Sequence, residues 1–351
     1  MNRTIPPPIK DAVEFDIKLK PYEHFKLDNG IPVYVIKSDE QETLQLELVF
    51  PAGSWYESES LEALATNFLM KNGTSKRTAL EINEAIDYHG AYLNRNAYHE
   101  NATFTLHCLT KHTEVLLPVL QEVILDPAFP EEELNLYKQN QKQKLAVNLQ
   151  KCDFVANRFI DKYLFGEFHP YGRVSSMMAY DALQTETLKG FYQKHYTYNN
   201  CRIFVAGQMP PNMIELLNKY FGSTQWNGET HLVKLDLPVQ AAEEKKFRIF
   251  NDENGVQGAI RMARHFPNRY HPDFPKMMVL NTILGGYFGS RLMSNIREEK
   301  GYTYGIYSQL YNFRQTSAIN IQTEAGRDVC EATIEEVYKE LQTLQDVPVP
   351  Q

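Results

Sequence analysis

Histidines are the first residues in this chain to test for chemistry, because clustered imidazoles are common metal ligands. His99, His107 and His112 lie close together in the sequence. His107 and His112, however, fall on or beside a segment that alternates like a β-strand, where an exposed or hydrogen-bonded histidine is ordinary. A metal site at these three residues is therefore the less favoured of two open interpretations.

The patterns of nucleophilic and phosphate-binding sites are missing. The scattered cysteines, Cys108, Cys152, Cys201 and Cys330, form no C-x-x-C pair and are expected to be reduced thiols. No G-x-S-x-G nucleophile elbow occurs. The glycines of ILGGYFGSR (283–291) are not followed by Gly-Lys-Ser/Thr, so they predict a helix end and a tight turn. The sequence thus argues against a serine or cysteine hydrolase.

Composition indicates an ordinary globular protein. The chain has 351 residues, 43% of them hydrophobic and 23% charged, which suits two domains. A net charge of -8 without a basic stripe argues against nucleic acid or an anionic membrane as the main partner. The N-terminal MNRTIPPPIKD has no apolar core of a signal peptide. The expected location is cytoplasmic, or periplasmic if a signal peptide was removed.

The elements that must position any site follow from the hydrophobic periodicity. Asn29-Gly30 predicts a hairpin turn, residues 44–50 alternate like a strand, and residues 61–70 read as a helix ended by Asn72-Gly73. Further helices are predicted near 79–89, 113–125, 131–149, 153–165 and 213–221, with a strand pair within 91–109 and a strand at 201–207.

The second half of the chain repeats the first. After a polar stretch, the order strand, helix, helix, hairpin, helix occurs again. This repeat predicts an α+β fold of two related domains, each a mostly antiparallel sheet with helices packed on one face. The predicted boundaries are an N-terminal arm at 1–24, a first domain at 25–222, a linker at 223–245 and a second domain at 246–351. The second domain is expected to be incomplete at its C-terminal end.

Several strings carry a family resemblance. They are LDNGIPVYVI (27–36), PAGSWYE (51–57), NGTSKRT (72–78), HPYG (169–172) and LGGYFGSRLMSNIREEKGYTYG (284–305). The chain resembles the pitrilysin, insulin-degrading and mitochondrial-processing peptidases from about residue 24 onward, and the last string is the most specific. Since the family also has the HPYG loop, a structural role is expected for His169.

The zinc motif of the resembling family is not present. Active members carry H-x-x-E-H on the helix before the Gly-Thr pair, where two histidines bind zinc and the glutamate acts as a general base. The matching positions here are Leu64, Asn67 and Phe68. The window 138–152, where the resemblance places a third ligand, a glutamate, contains no carboxylate. No zinc is therefore expected in this chain.

A second family feature is retained. From the residues alone, Arg297 is best interpreted as paired with Glu298 or Glu299, and Tyr304 as a strand aromatic. The resemblance instead implies that Arg297 and Tyr304 hold the substrate backbone and stabilise the oxyanion formed during peptide cleavage. A guanidinium fork and a phenol are suitable donors for this role. Tyr302 is the nearest rival to Tyr304.

Together, the lost motif and the retained pair imply a function. The chain is expected to be inactive alone and to act as the non-catalytic, substrate-binding subunit of a heteromeric zinc peptidase that degrades or processes unfolded peptides. Its partner would be a zinc-bearing subunit of the same family. The alternative is a peptide-binding or scaffold protein, such as a homodimer, with no proteolytic activity. A relocated metal site is a third and weaker alternative.

Overall fold

The computed structural model describes residues 17–223, 226 and 237–349, which form two units with one sheet each. The α+β fold predicted from the repeat is confirmed. Most of the predicted N-terminal arm (1–24) and of the linker (223–245) lies outside the described residues, so the domain boundaries stay predictions.

The first unit has a six-stranded sheet in the order β1-β2-β6-β3-β5-β4. Only the β2–β6 pair is parallel. In β3, Leu44, Leu46, Leu48 and Phe50 are buried while their neighbours face outward, as a period of two requires. The strands are β1 Glu23–Lys26, β2 Pro32–Lys37, β3 Thr43–Phe50, β4 Tyr92–Ala97, β5 Ala102–Leu109 and β6 Arg202–Gly207.

Eight α-helices belong to the described part of the first unit. They are α1 Glu62–Met70, α2 Ala79–Asp87, α3 Thr113–Leu125, α4 Glu131–Asn148, α5 Cys152–Phe165, α6 Met177–Ala182, α7 Thr185–His195 and α8 Met213–Phe221. A capping box between Thr78 and Glu81 begins α2. Helix α1 is almost wholly buried, and it packs against α7, β4 and α4. These contacts hold one face of α1 beside the edge strand β4.

The second unit is built on three antiparallel strands in the order β7-β9-β8. Its core contains Leu284, Leu292, Ile296, Ile306 and Val337. The elements are β7 Gln257–His265, α9 Phe274–Asn281, β8 Thr303–Asn312, β9 Ser317–Gly326 and α10 Cys330–Asp346, with π-helical segments at Thr282–Gly286 and Met293–Glu299. No helix within the described residues of either unit is long and apolar enough to cross a bilayer.

The π-helical segments are a detail that periodicity does not predict. The backbone leaves the helical conformation at Gly285 (φ -157°, ψ 16°). A Cβ atom there would lie 2.7 Å from the backbone nitrogen of Ser308, so only glycine allows this segment to approach β8 so closely. The approach holds the first segment, Thr282–Gly286, against β8, ahead of the segment that carries Arg297.

The two units share a seam formed by α5 of the first and β7 of the second. Arg261 Nε donates to Asn157 Oδ1 at 2.6 Å, and a ring nitrogen of His265 lies 3.0 Å from the Leu164 carbonyl oxygen. An aromatic cluster also spans both units and includes Trp55, Phe165, Tyr171, Phe313 and Ala318. The seam therefore has both polar and apolar contacts.

Candidate functional site

The three positions of the missing zinc motif lie together on α1. Leu64, Asn67 and Phe68 all line one cavity of about 450 Å³, because helix positions three and four apart share a face. Leu64 is 44% exposed, whereas Asn67 is buried at 3%. We call this space the first cavity. The motif spacing still brings three side chains together, although none of them is an imidazole or a carboxylate.

Helix α4 forms another wall of the first cavity through Tyr137 and Gln141. Gln141 lies in the window 138–152, where the resemblance would place a third zinc ligand. Protein zinc sites use thiolate, imidazole or carboxylate ligands. Helices α1 and α4 supply two neutral amides, one phenol and hydrocarbon to the first cavity, so its residues do not fit zinc.

The first cavity has no zinc ligands among its described lining residues, but it is lined by the guanidinium of Arg95. The Arg95 Cζ atom on β4 is 4.2 Å from the centre of the Phe68 ring, which itself packs on Tyr137 with ring centroids 4.8 Å apart. Arg95 Nη2 donates to Asn72 Oδ1 at 3.3 Å, and Asn72 Nδ2 donates to Glu133 at 2.7 Å. Burial lowers the pKa of Arg95, an effect opposed by Tyr137. Arginine starts from so high a pKa that the side chain stays charged.

Sequence reasoning missed Arg95, although a signal for it exists. Strand alternation places Leu93, Arg95 and Ala97 on one side of β4. Leu93 is buried, so a charged residue two positions later on that side indicates a partly buried cation. Tyr137 gave no comparable signal, because a single aromatic residue on a helix usually belongs to the core.

Arg297 and Tyr304 line a second cavity, of about 880 Å³, in the second unit. Arg297 is carried by the π-helical segment, and Tyr304 stands near the start of β8 after a turn at Gly301 (φ +67°). Tyr304 is 92% exposed. Tyr302 also lines this second cavity but packs partly against the core of the unit. Of the two tyrosines, Tyr304 has the more accessible side chain.

The immediate neighbours of Arg297 agree with the interpretation from residues alone. Its Nη1 lies 3.6 Å from Glu298 Oε1, and its Cζ lies 4.5 Å from the centre of the Phe288 ring. At 3.6 Å the ion pair is loose, and such exposed pairs are worth little. The guanidinium therefore keeps donors for another acceptor, and its role in substrate binding stays a prediction.

The first and second cavities have no lining residue in common. The first is lined only by the unit that carries β1–β6, and the second only by the unit that carries β7–β9. The structure does not bring Arg297 and Tyr304 together with Leu64, Asn67 and Phe68 in one cavity.

The candidate histidines have separate surroundings. The His99 ring is 3.2 Å from the Ser54 hydroxyl, whereas His107 stacks on Tyr92 with centroids 4.6 Å apart. Within residues 17–223, 226 and 237–349, no three His, Cys, Asp or Glu side chains are grouped to hold a metal. All four cysteines are free thiols.

His169 has the contacts of a structural residue. Its Nδ1 accepts a hydrogen bond from the Tyr171 backbone N–H at 3.2 Å, and its ring packs edge-on against Trp55. Burial lowers the pKa of His169, and the nearby His265 and His99 lower it further. A neutral ring in the aromatic cluster agrees with the structural role expected for the HPYG loop.

Comparison with known families identifies both units. The family model described as "Insulinase (Peptidase family M16)" matches residues 33–166, and the one described as "Peptidase M16 inactive domain" matches residues 182–351. The resemblance that the sequence strings carry is thereby confirmed.

Individual proteins show the same relationship. The chain is 22% identical over 327 residues to the Bacillus subtilis protein named uncharacterized zinc protease YmxG, covering 92% of this chain and 78% of that one. A Rickettsia felis protein, also named an uncharacterized zinc protease, is 24% identical over 331 residues, 91% of this chain and 76% of that one.

Solved structures extend the comparison to the fold. A peptidase M16 inactive domain from Pseudomonas fluorescens has a TM-score of 0.83 and 25% identity, covering 94% of this chain and 80% of that one. A protease from Helicobacter pylori has the same TM-score at 17% identity, with coverage of 95% and 82%, and supports the fold alone. Two models of one peptidase family thus match most of the chain. The chain belongs to the M16, or insulinase, family and is a member without the zinc motif.

Proposed function

We propose that this protein is the non-catalytic, substrate-binding subunit of a heteromeric zinc peptidase that acts on unfolded peptides. A partner of the same family carries the zinc, and this chain supplies Arg297 and Tyr304 to that site. The observation that carries the proposal is the separation of the two cavities: Arg297 and Tyr304 line one, and the residues of the lost motif line another.

The residues of the first cavity support the non-catalytic part of the proposal. Leu64, Asn67 and Phe68 cannot provide two zinc ligands and a general base, and Gln141, from the window 138–152 that lacks a carboxylate, is a neutral amide. Several relatives are named zinc proteases, so a peptidase setting is the natural one for this fold. The zinc chemistry then has to come from another chain.

The geometry of the second cavity supports the role of Arg297 and Tyr304. The Tyr304 side chain is almost fully exposed, and Arg297 is held by one loose ion pair and an aromatic contact. Neither side chain is committed to the core of its own unit. A phenol and a guanidinium placed at the rim of an open cavity are able to donate to a peptide carbonyl and to the oxyanion that develops from it.

The first experiment is co-purification of the full chain from its native source, with identification of bound proteins by mass spectrometry. A stoichiometric partner that carries H-x-x-E-H is expected. Recovery of the chain alone, or with proteins that are not peptidases, would favour the scaffold or homodimer alternative.

The second experiment uses the purified pair and a fluorogenic peptide. Tyr304→Phe and Arg297→Ala should each lower kcat, because the loss of one oxyanion donor costs roughly 10²- to 10³-fold. Arg264→Ala is the matched control, since Arg264 is an exposed residue of β7 that lines neither cavity. Full activity of both Arg297→Ala and Tyr304→Phe would overturn the assigned roles.

A further inference from the structure

The first cavity carries a positive charge that no lining residue neutralises. Arg95 is its one charged lining residue within the described part of the chain, and no lining residue is acidic. The nearest carboxylate in the hydrogen-bond chain, Glu133, accepts from Asn72 rather than from the guanidinium. Lys71 adds a second cation nearby: burial lowers its pKa, and the charge of Arg95 lowers it further.

The guanidinium of Arg95 is the donor that the protein leaves incompletely paired. Its Nε is buried and has no partner within the described residues, and the only side-chain bond that its other nitrogens make there is the one from Nη2 to Asn72 at 3.3 Å. Donors in such surroundings are normally paired, so an acceptor that reaches the accessible N–H groups of the guanidinium would be favoured. Asn67 also lines the cavity, but its buried amide is a partner of the Tyr196 hydroxyl.

The remaining lining residues define the rest of the ligand. Phe68, Leu64 and Leu93 provide apolar surface, while Asn94, Asn96 and Gln141 provide neutral amides. The volume, about 450 Å³, lies within the roughly 300–1,000 Å³ typical of sites for small ligand groups. One guanidinium among amides and hydrocarbon suits a singly charged anion that is attached to an organic chain.

From these observations we infer that the first cavity is a carboxylate-binding pocket for unfolded peptides, with Arg95 as the anion-binding residue. The guanidinium offers a planar fork of N–H groups that matches the two oxygens of a carboxylate. The family's metal position is thus replaced by a fixed organic cation that holds a peptide without cutting it. The inference rests on the proposed function in one respect, namely that the ligand is a peptide.

The carboxylate has two sources, the C-terminus of a peptide or an Asp or Glu side chain. Four short fluorescein-labelled peptides of one length distinguish them: a free C-terminus, an amidated C-terminus, an amidated peptide with one internal Glu, and the same peptide with Gln instead. Fluorescence anisotropy with the full chain alone, without a partner, measures the affinity of each. At least one carboxylate peptide should bind more tightly than its neutral counterpart, by about 10- to 100-fold.

Substitutions in the pocket test whether the preference for carboxylate peptides arises there. Arg95→Gln should remove the preference for the carboxylate, and Arg95→Lys should retain part of it, since the charge stays and the fork is lost. Gln141→Glu places a like charge in the cavity and should also weaken binding of the carboxylate peptide. Gln143→Glu is the matched control, because Gln143 is exposed on the same helix and does not line the cavity. Gln141→Glu also keeps the test valid if Arg95→Gln fails to fold.

Equal affinity for the carboxylate and neutral peptides would overturn the inference, as would a carboxylate preference that survives both Arg95→Gln and Gln141→Glu. These outcomes are independent of the proposed function. If the chain shows no carboxylate preference but activity of the purified pair depends on Arg297, only the pocket is refuted. If the chain shows the carboxylate preference but no zinc-bearing partner is found, only the subunit role is refuted.

Discussion

The two cavities of this protein differ in how their polar groups are held. In the first, Arg95 is packed against the Phe68 ring, and its Nε has no acceptor among the described residues. In the second, Arg297 and Tyr304 stand at an open surface among charges of both signs, including Glu324. A partly buried cation without an acidic partner is suited to binding an anionic group of a ligand. Exposed donors are suited to contacting a separate peptide or protein chain. The first cavity thus has a partly buried cation, whereas the second has accessible side chains at its rim.

The largest expected effect is a difference in kinetics between variants of the two cavities, one acting on kcat and the other on KM. In the purified pair, Tyr304→Phe should lower kcat by roughly 10²-fold or more, because its donor acts on the transition state. For a carboxylate-containing peptide, Arg95→Gln should act mainly by raising KM, by roughly 10-fold, because it removes ground-state binding. Steady-state kinetics on both variants makes the comparison.

An internal control strengthens this kinetic test. With a peptide that has an amidated C-terminus and no acidic residue, the effect of Arg95→Gln on KM should disappear, while the effect of Tyr304→Phe on kcat should remain. If Arg95→Gln lowers kcat for both peptides, the two cavities are not functionally separate.

The second expected effect concerns the seam between the units that carry the cavities. Burial raises the pKa of Asp161 from 3.8 to about 6, and its Oδ1 has no partner among the described residues. The folded state then binds the proton more tightly than the unfolded state. The contribution of Asp161 to the free energy of unfolding is therefore expected to fall as the pH rises from about 4 to about 6, and to stay lowered above that range.

Asp161→Asn removes this titration. It should raise the free energy of unfolding at pH 8 by on the order of 2 kcal/mol relative to the native protein, and by much less at pH 4. Urea denaturation at several pH values measures the difference. Asp39→Asn, an exposed change, is the control. Parallel pH curves for the native protein and Asp161→Asn would contradict the prediction.

The smallest expected effect tests whether Arg95 is kept for stability. Its contact with Phe68 and its bond to Asn72 stabilise the folded state, but its burial without an acid opposes them. Arg95→Met should therefore change the free energy of unfolding by less than about 1 kcal/mol. A loss well above that value in urea denaturation would make Arg95 a structural residue and weaken the contrast between the cavities.

Much of the fold is predictable from the sequence because its signals are local. The helices α3 and α8 cover the ranges predicted from periodicity, 113–125 and 213–221, and α3 ends at Asp126-Pro127. Asn29-Gly30 correctly marks the turn between β1 and β2. The sequence predicts the two π-helical segments only as helices, because the close approach of Gly285 to β8 in the first of them is a tertiary contact.

The candidate sites likewise have some features that the sequence predicts and others that depend on tertiary contacts. The positions of Leu64, Asn67 and Phe68 on one helix face follow from their spacing, and the structure places them at one cavity. The guanidinium of Arg95 over Phe68 joins a helix to a strand, and a sequence pattern does not specify which residues of two such elements meet. Likewise, the greater exposure of Tyr304 than of Tyr302 depends on how β8 lies against its own core.

The contacts between α5 and β7 determine whether the two units would separate after the chain is cut between them. A proteolytic cut between residues 223 and 237 would break the chain but not the contacts of Arg261, His265 and the aromatic cluster around Phe165. The two fragments should therefore stay associated after such a cut and co-elute on a sizing column. Either half expressed alone would expose that aromatic surface to water and would need the other half to stay soluble.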